Sequence, residues 1–82
     1  MKLYSLTEPD LRQLVGENIR RIRGERSIMD LCADIGMSRA FWYDIEAGEK
    51  AATVDTLQRI ADALGVGVQD LVSSRPRRST QS

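Results

Sequence analysis

Between Gly36 and Gly48 the chain leaves room for one short helix, and signals at both ends fix where it runs. Gly36 can take the positive φ that ends a preceding helix. Ser38 can cap the new helix by accepting an orphan backbone N–H, and Gly48 can close it in a left-handed turn. At about 100° per residue, Arg39, Ala40, Tyr43, Asp44 and Ala47 share one side. Trp42, Ile45 and Ser38 point the other way, with Phe41 at the border. The polar side is not a generic surface of Lys and Glu. It offers a fork donor, a methyl, a phenol and a carboxylate, groups that suit base edges in a major groove. The competing reading is an ordinary amphipathic helix.

At 82 residues the chain is expected to form one domain with a modest core, so association with a second copy could add stability. Twelve Lys and Arg balance twelve Asp and Glu. Overall charge therefore gives no support for a nucleic-acid partner; only its distribution could. The single cysteine, Cys32, cannot form an intramolecular disulfide and fits a reducing, cytoplasmic setting. With no histidine, no transition-metal set is available, and no cofactor or small-molecule ligand is indicated. No apolar run is long enough for a membrane span, and regular strand alternation is absent. The expected fold class is all-α.

In chain order, residues 1–6 read as an N-terminal arm, 7–73 as the folded domain and 74–82 as a disordered basic tail carrying Arg75, Arg77 and Arg78. Thr7 can cap a first helix, with Asp10 completing a capping box and Pro9 tolerated in the first turn. Leu11, Leu14, Val15, Asn18, Ile19 and Ile22 follow helical spacing to about Arg23. Gly24 weakens the continuation. The densest basic cluster, Arg20, Arg21, Arg23 and Arg26, lies around it, interleaved with Glu17 and Glu25. That cluster reads either as phosphate contacts or as a solvated face. Ser27 with Asp30 is a second capping box, opening a helix whose inner face is Leu31, Cys32 and Ile35. Cys32 is most simply a small buried residue, since no neighbour in sequence would activate it. Thr53 caps a fourth helix with Leu57, Ile60, Ala61 and Leu64 as its buried stripe, ended by Gly65. Val66 to Val72 forms a last short turn. A helix, a glycine turn and another helix thus occupy residues 28–47, the pattern of a helix-turn-helix.

These residues together resemble the lambda repressor/Cro-type, or XRE, helix-turn-helix family over about residues 14–72. The matching string runs from Ile19-Arg20-Arg21-Ile22-Arg23 through Leu31-Cys32 and Gly36-Met37-Ser38-Arg39 to Ile45-Glu46-Ala47-Gly48. It closes with Thr56-Leu57-Gln58-Arg59-Ile60-Ala61-Asp62-Ala63-Leu64-Gly65-Val66. The resemblance implies a five-helix domain whose third helix enters the major groove of double-stranded DNA. It implies base contacts from the positions of Arg39, Ala40, Tyr43 and Asp44, and an ion pair between Arg23 and Glu46. Phosphate contacts are expected from Arg20, Arg26, Ser27, Ser38 and Lys50.

Three features depart from the family pattern. The loop after the first helix is shorter than usual. Ile28 stands where a phosphate-touching Gln is common, so only backbone N–H groups there could serve. Phe41-Trp42-Tyr43 concentrates the aromatics: the indole N–H of Trp42 needs a partner, and Phe41 either packs on the second helix or forms an exposed patch. The expected function is a repressor-like, sequence-specific transcriptional regulator acting as a homodimer. Its dimer contact is expected around Val66, Val68, Leu71 and Val72, unless the first helix covers them. The alternative is a protein-interaction module on the same fold, such as an antitoxin-like partner. No nucleophile–base pair suggests an enzyme.

Overall fold

The computed structural model describes residues 8–74. Within them lie five helices: α1 (Glu8–Arg23), α2 (Ile28–Ile35), α3 (Arg39–Glu46), α4 (Val54–Leu64) and α5 (Val68–Val72). The fold is all-α. The expected arm at 1–6, the cap at Thr7 and residues 75–82 of the expected tail lie outside the described residues.

The helices start where side chains can satisfy their first N–H groups. Ser27 Oγ accepts from the Asp30 N–H at 3.2 Å, Ser38 Oγ from the Phe41 N–H at 3.0 Å, and Thr53 Oγ1 from the Thr56 N–H at 3.1 Å. The Asp70 carboxylate performs the reverse service for α5, accepting from the Gly67 N–H at 3.0 Å. Gly36 ends α2 in the left-handed region, at φ 66°, which lets the Met37 N–H close back on the Cys32 carbonyl at 3.0 Å. This turn sets α3 at an angle to α2. Two arginines complete the ends. Arg59 of α4 donates to the Ile35 carbonyl at the end of α2. Arg26 donates to the Ile22 carbonyl at 3.1 Å and the Leu64 carbonyl at 3.3 Å. Both satisfy carbonyls that their own helices leave open.

The core draws on every helix. Ile19, Trp42, Ile45, Ile60 and Leu71 are fully buried, and Leu31 and Cys32 bring in α2. Each such aliphatic or aromatic side chain contributes about 1.5–3 kcal/mol relative to exposure. α3 is held between α1 and α2, while α1 also packs on α5 and α4 packs on α2 and α5. The contact of α1 with α3 depends on Gly16. A Cβ built there would lie within 2.5 Å of the Ile45 carbonyl oxygen and against that of Glu46. Only a hydrogen at this position lets the two backbones meet so closely.

α5 is tied down by a buried polar residue. Asn18, 4% exposed, donates from Nδ2 to the Leu71 carbonyl at 2.8 Å and the Ser73 carbonyl at 2.9 Å. Its Oδ1 accepts from Arg21 at 2.7 Å, so the amide is well satisfied. The expected dimer surface is largely consumed by this packing. Leu71 has no exposed surface, Val66 and Val68 are half-buried against the core, and Val72 alone of the four is exposed. α1 packs on α5 and Asn18 ties the two together, so the first helix covers part of these residues, as the alternative had it.

Candidate nucleic-acid interface

The back of α3 is built around Glu46. Its Oε2 accepts from Arg23 Nε at 2.6 Å and its Oε1 from Arg23 Nη2 at 3.0 Å, a two-point pairing across α1 and α3. The indole Nε1–H of Trp42 donates to the same Oε2 at 2.6 Å. Trp42 is thereby both a core residue, 1% exposed, and a hydrogen-bond donor one helical turn from its acceptor. The pair is mostly out of water, with side-chain exposures of 16% for Arg23 and 8% for Glu46. The Arg23 guanidinium is held above its ordinary value, chiefly by its hydrogen bond to Glu46, against a partial loss of solvation. Such a pair fixes orientation more surely than it adds stability.

The front of α3 is open. Arg39, Ala40 and Tyr43 are exposed, Tyr43 by 55%, and Asp44 is partly so. Arg39 does not pair with Asp44. Its Nη1 lies 4.0 Å from the thioether of Met29, an exposed residue on the first turn of α2. Asp44 instead faces Lys50, at 3.8 Å, in the loop after α3. This pair is open to solvent and worth about 0–1 kcal/mol. The backbone of that loop folds back on α3, with the Glu49 N–H donating to the Asp44 carbonyl at 2.8 Å.

The residues expected to meet phosphate fall into two groups. Arg20 is exposed and lines a shallow cleft of about 270 Å³ between α1 and α3, together with Arg23, Tyr43, Glu46 and Ala47. Ser27 and Ser38 use an oxygen lone pair for capping, which leaves each hydroxyl proton free to donate. Lys50 sits beside the far end of α3. Arg26 differs. Its guanidinium donates to the carbonyls of Ile22, Arg23 and Leu64, which caps helix ends, while the residue stays exposed. Ile28 is buried in the core, and no polar side chain replaces the missing Gln there.

The aromatic run resolves differently for each ring. Trp42 is internal, Phe41 is half-buried against the core, and Tyr43 alone faces outward. Cys32 is buried, with Sγ 3.7 Å from the Ser38 carbonyl. Burial pushes its thiol up, while the nearby Arg39 pulls the other way. No group of His, Cys, Asp and Glu among the described residues could hold a metal ion, and no helix among them is long and apolar enough to cross a membrane.

Reading the sequence missed Gly16, and counted Asn18 in the apolar stripe of α1 without assigning it a partner. Each carried a signal. A glycine in the middle of a well-formed helix asks for a close neighbour, and a lone amide on an apolar stripe asks for buried carbonyls. The partner of the Trp42 indole was also legible, because Glu46 stands four residues on, a spacing at which helical side chains meet.

Comparison with known proteins agrees with this geometry. A family model described as a helix-turn-helix domain matches residues 6–73. An uncharacterized HTH-type transcriptional regulator, y4dJ, from Sinorhizobium fredii is 38% identical over 66 residues, covering 78% of this chain and 86% of that protein. The control protein C.BamHI from Bacillus amyloliquefaciens is 33% identical over 66 residues, covering 77% of this chain and 82% of its own. In fold, the chain is similar to the hypothetical transcription factor NHTF from Neisseria, with a TM-score of 0.71 over 88% of this chain and 85% of that one, at 24% identity. An HTH_3 family transcriptional regulator from Vibrio cholerae gives a TM-score of 0.73 at 25% identity, covering 79% of this chain and 38% of the larger one. The chain therefore belongs to the lambda repressor/Cro-type, or XRE, family of helix-turn-helix DNA-binding transcriptional regulators.

Proposed function

We propose that this protein is a repressor-like regulator that binds operator DNA as a homodimer in the cytoplasm, with the exposed face of α3 in the major groove. The observation that carries this reading is the contrast across α3: its back is fixed by Glu46, Trp42 and Gly16, while Arg39, Ala40 and Tyr43 stand free in front. Arg39 occupies the first turn of α3, the part of a recognition helix that reaches deepest. Its guanidinium can make two bonds to guanine O6 and N7, Ala40 can meet a thymine methyl, and Asp44 can accept from cytosine N4. Tyr43 can bond a base or a phosphate. Arg20, Arg26, Ser27, Ser38 and Lys50 set position on the backbone. Lys50 would leave its exposed pairing with Asp44 to do so, which costs little.

A homodimer would place two copies of α3 about one helical turn apart on DNA. With Leu71 covered, the large apolar residues exposed among the described residues, besides Met29 and Tyr43, are Leu11, Val54 and Val72, and these are open to such an interface. The protein-interaction alternative rested on the aromatic run and the balanced charge. It loses most of its patch, since Trp42 is internal and Phe41 packs on the core.

Short duplexes selected from random DNA supply the test. Affinity for the selected duplex should fall steeply with salt, each released phosphate contact adding about one unit to the logarithmic slope. Lys50→Ala should flatten that slope by about one unit and weaken all sequences alike. Failure to enrich any duplex, or affinity insensitive to salt, would favour the protein-interaction reading. Sedimentation as a clean monomer at high concentration without DNA would count against the dimer.

A further inference from the structure

We propose that Met29 is a specificity-determining residue that positions Arg39 for base reading; the proposal rests on the reading of Arg39 as a base contact. Met29 is 57% exposed on the first turn of α2, so its thioether is open to a neighbouring polar group. The neighbour is Arg39. The Met29 thioether, on the first turn of α2, lies 4.0 Å from Nη1 of Arg39, on the first turn of α3. Among the described residues this is the one hydrogen-bonding contact recorded for that guanidinium.

The chemistry of the contact suits the task. An arginine side chain carries considerable rotamer entropy, much of which is given up when it locks onto a guanine. A neighbour that restricts the side chain beforehand lowers that cost. A carboxylate at position 29 would also hold Arg39, but as an ion pair that guanine must break, and it would repel the DNA backbone. A thioether is uncharged and a weak acceptor. It supports one edge of the guanidinium through soft contact and leaves the remaining N–H groups unpaired for two-point recognition. The path of Arg39 into the groove, and so the base pair it meets, then depends on a residue that itself touches no base.

A merely structural role predicts something different. Met29 lies outside the buried core, so its removal should leave folding unchanged while altering base preference. The test uses the full chain, the duplex selected from random DNA, and duplexes changed singly at each base pair of the half-site. Five proteins are compared: the parent, Met29→Ala, Arg39→Ala, the double variant, and Met29→Leu as the conservative replacement. Met29→Ala should lower discrimination at the base pair read by Arg39 by about threefold or more, with discrimination at other positions and the unfolding midpoint unchanged. Met29→Leu, which keeps an apolar contact, should retain most of the parent's preference. In the Arg39→Ala background the Met29 change should have no further effect. If Arg39→Ala loses discrimination but Met29→Ala matches the parent at every position, the positioning role is overturned and the reading of Arg39 stands. If Arg39→Ala itself loses none, the base-reading proposal fails, and this one with it.

Discussion

The two sides of α3 are built on opposite principles. Behind it, one carboxylate takes three N–H donors, a tryptophan is sealed in the core, and a glycine brings the α1 backbone against two α3 carbonyls. In front, Arg39 rests on a thioether, the Tyr43 phenol has no hydrogen-bonding partner among the described residues, and Asp44 meets Lys50 across 3.8 Å of solvent-exposed space. The eight residues of α3 are too few to hold a helix alone, since isolated helices shorter than about 12–15 residues are marginal in water. The difference teaches a division of labour. Rigidity is supplied entirely from behind, so that the front can leave its polar groups unspent until a partner arrives.

The comparison can be broken from behind in graded steps. Glu46→Ala should have the largest effect, about 3–5 kcal/mol of stability, because it strands a mostly desolvated guanidinium and an indole N–H together. Removing Arg23 as well should recover part of that loss, and a double-mutant cycle in urea would measure the coupling. No coupling would contradict the pairing described. Gly16→Ala comes next. Overpacking costs about 1–3 kcal/mol, and here the obstruction is two backbone carbonyls that cannot rotate away, so the upper end is expected in the same urea assay. Trp42→Phe keeps a ring in the core but loses the bond to Glu46, and should cost about 1–2 kcal/mol.

The smallest effect is expected where the two sides meet. Cys32 lies under the turn into α3, and burial raises its thiol above the ordinary range. A raised acid favours the folded state while the thiol is neutral. That contribution is fully present below the thiol's unfolded value and is lost as pH rises through the folded one. Cys32→Ala should therefore remove a small alkaline loss of stability. A thiol-specific reagent should label the native parent slowly, at a rate that rises with urea. Rapid labelling without urea would mean that the turn opens far more readily than its packing indicates.

Much of this architecture was legible before any coordinates. Helix starts are local events, and Ser27, Ser38 and Thr53 announced three of them through the one bond that each side chain can offer its own backbone. The faces of α3 followed from angular spacing alone, with Trp42 and Ile45 inward and Arg39, Ala40 and Tyr43 outward. What spacing cannot convey is which distant group a side chain will meet. Arg26 read as a phosphate contact or part of a solvated face, and nothing in its spacing showed that it also donates to carbonyls of α1 and of α4, the latter 38 residues away. The valines and Leu71 of the last turn read either as a dimer contact or as a surface covered by the first helix, because nothing local shows that Asn18 draws α5 onto α1. Gly16 went unread for the same reason: its role exists only once α3 has docked.

The central claim is that the front of α3 reads sequence while its back holds shape, and one pair of readings on Arg39→Ala tests it directly. The first is the ratio of affinity for the selected duplex over random DNA; the second is the urea unfolding midpoint. Loss of a two-point guanine contact should cost about 1–3 kcal/mol of discrimination, concentrated at one base pair per half-site. Because Arg39 is exposed and its recorded contact is the weak one to Met29, the midpoint should not move. A variant that keeps the parent's ratio, or that loses it only in step with a fall in stability, would contradict the account.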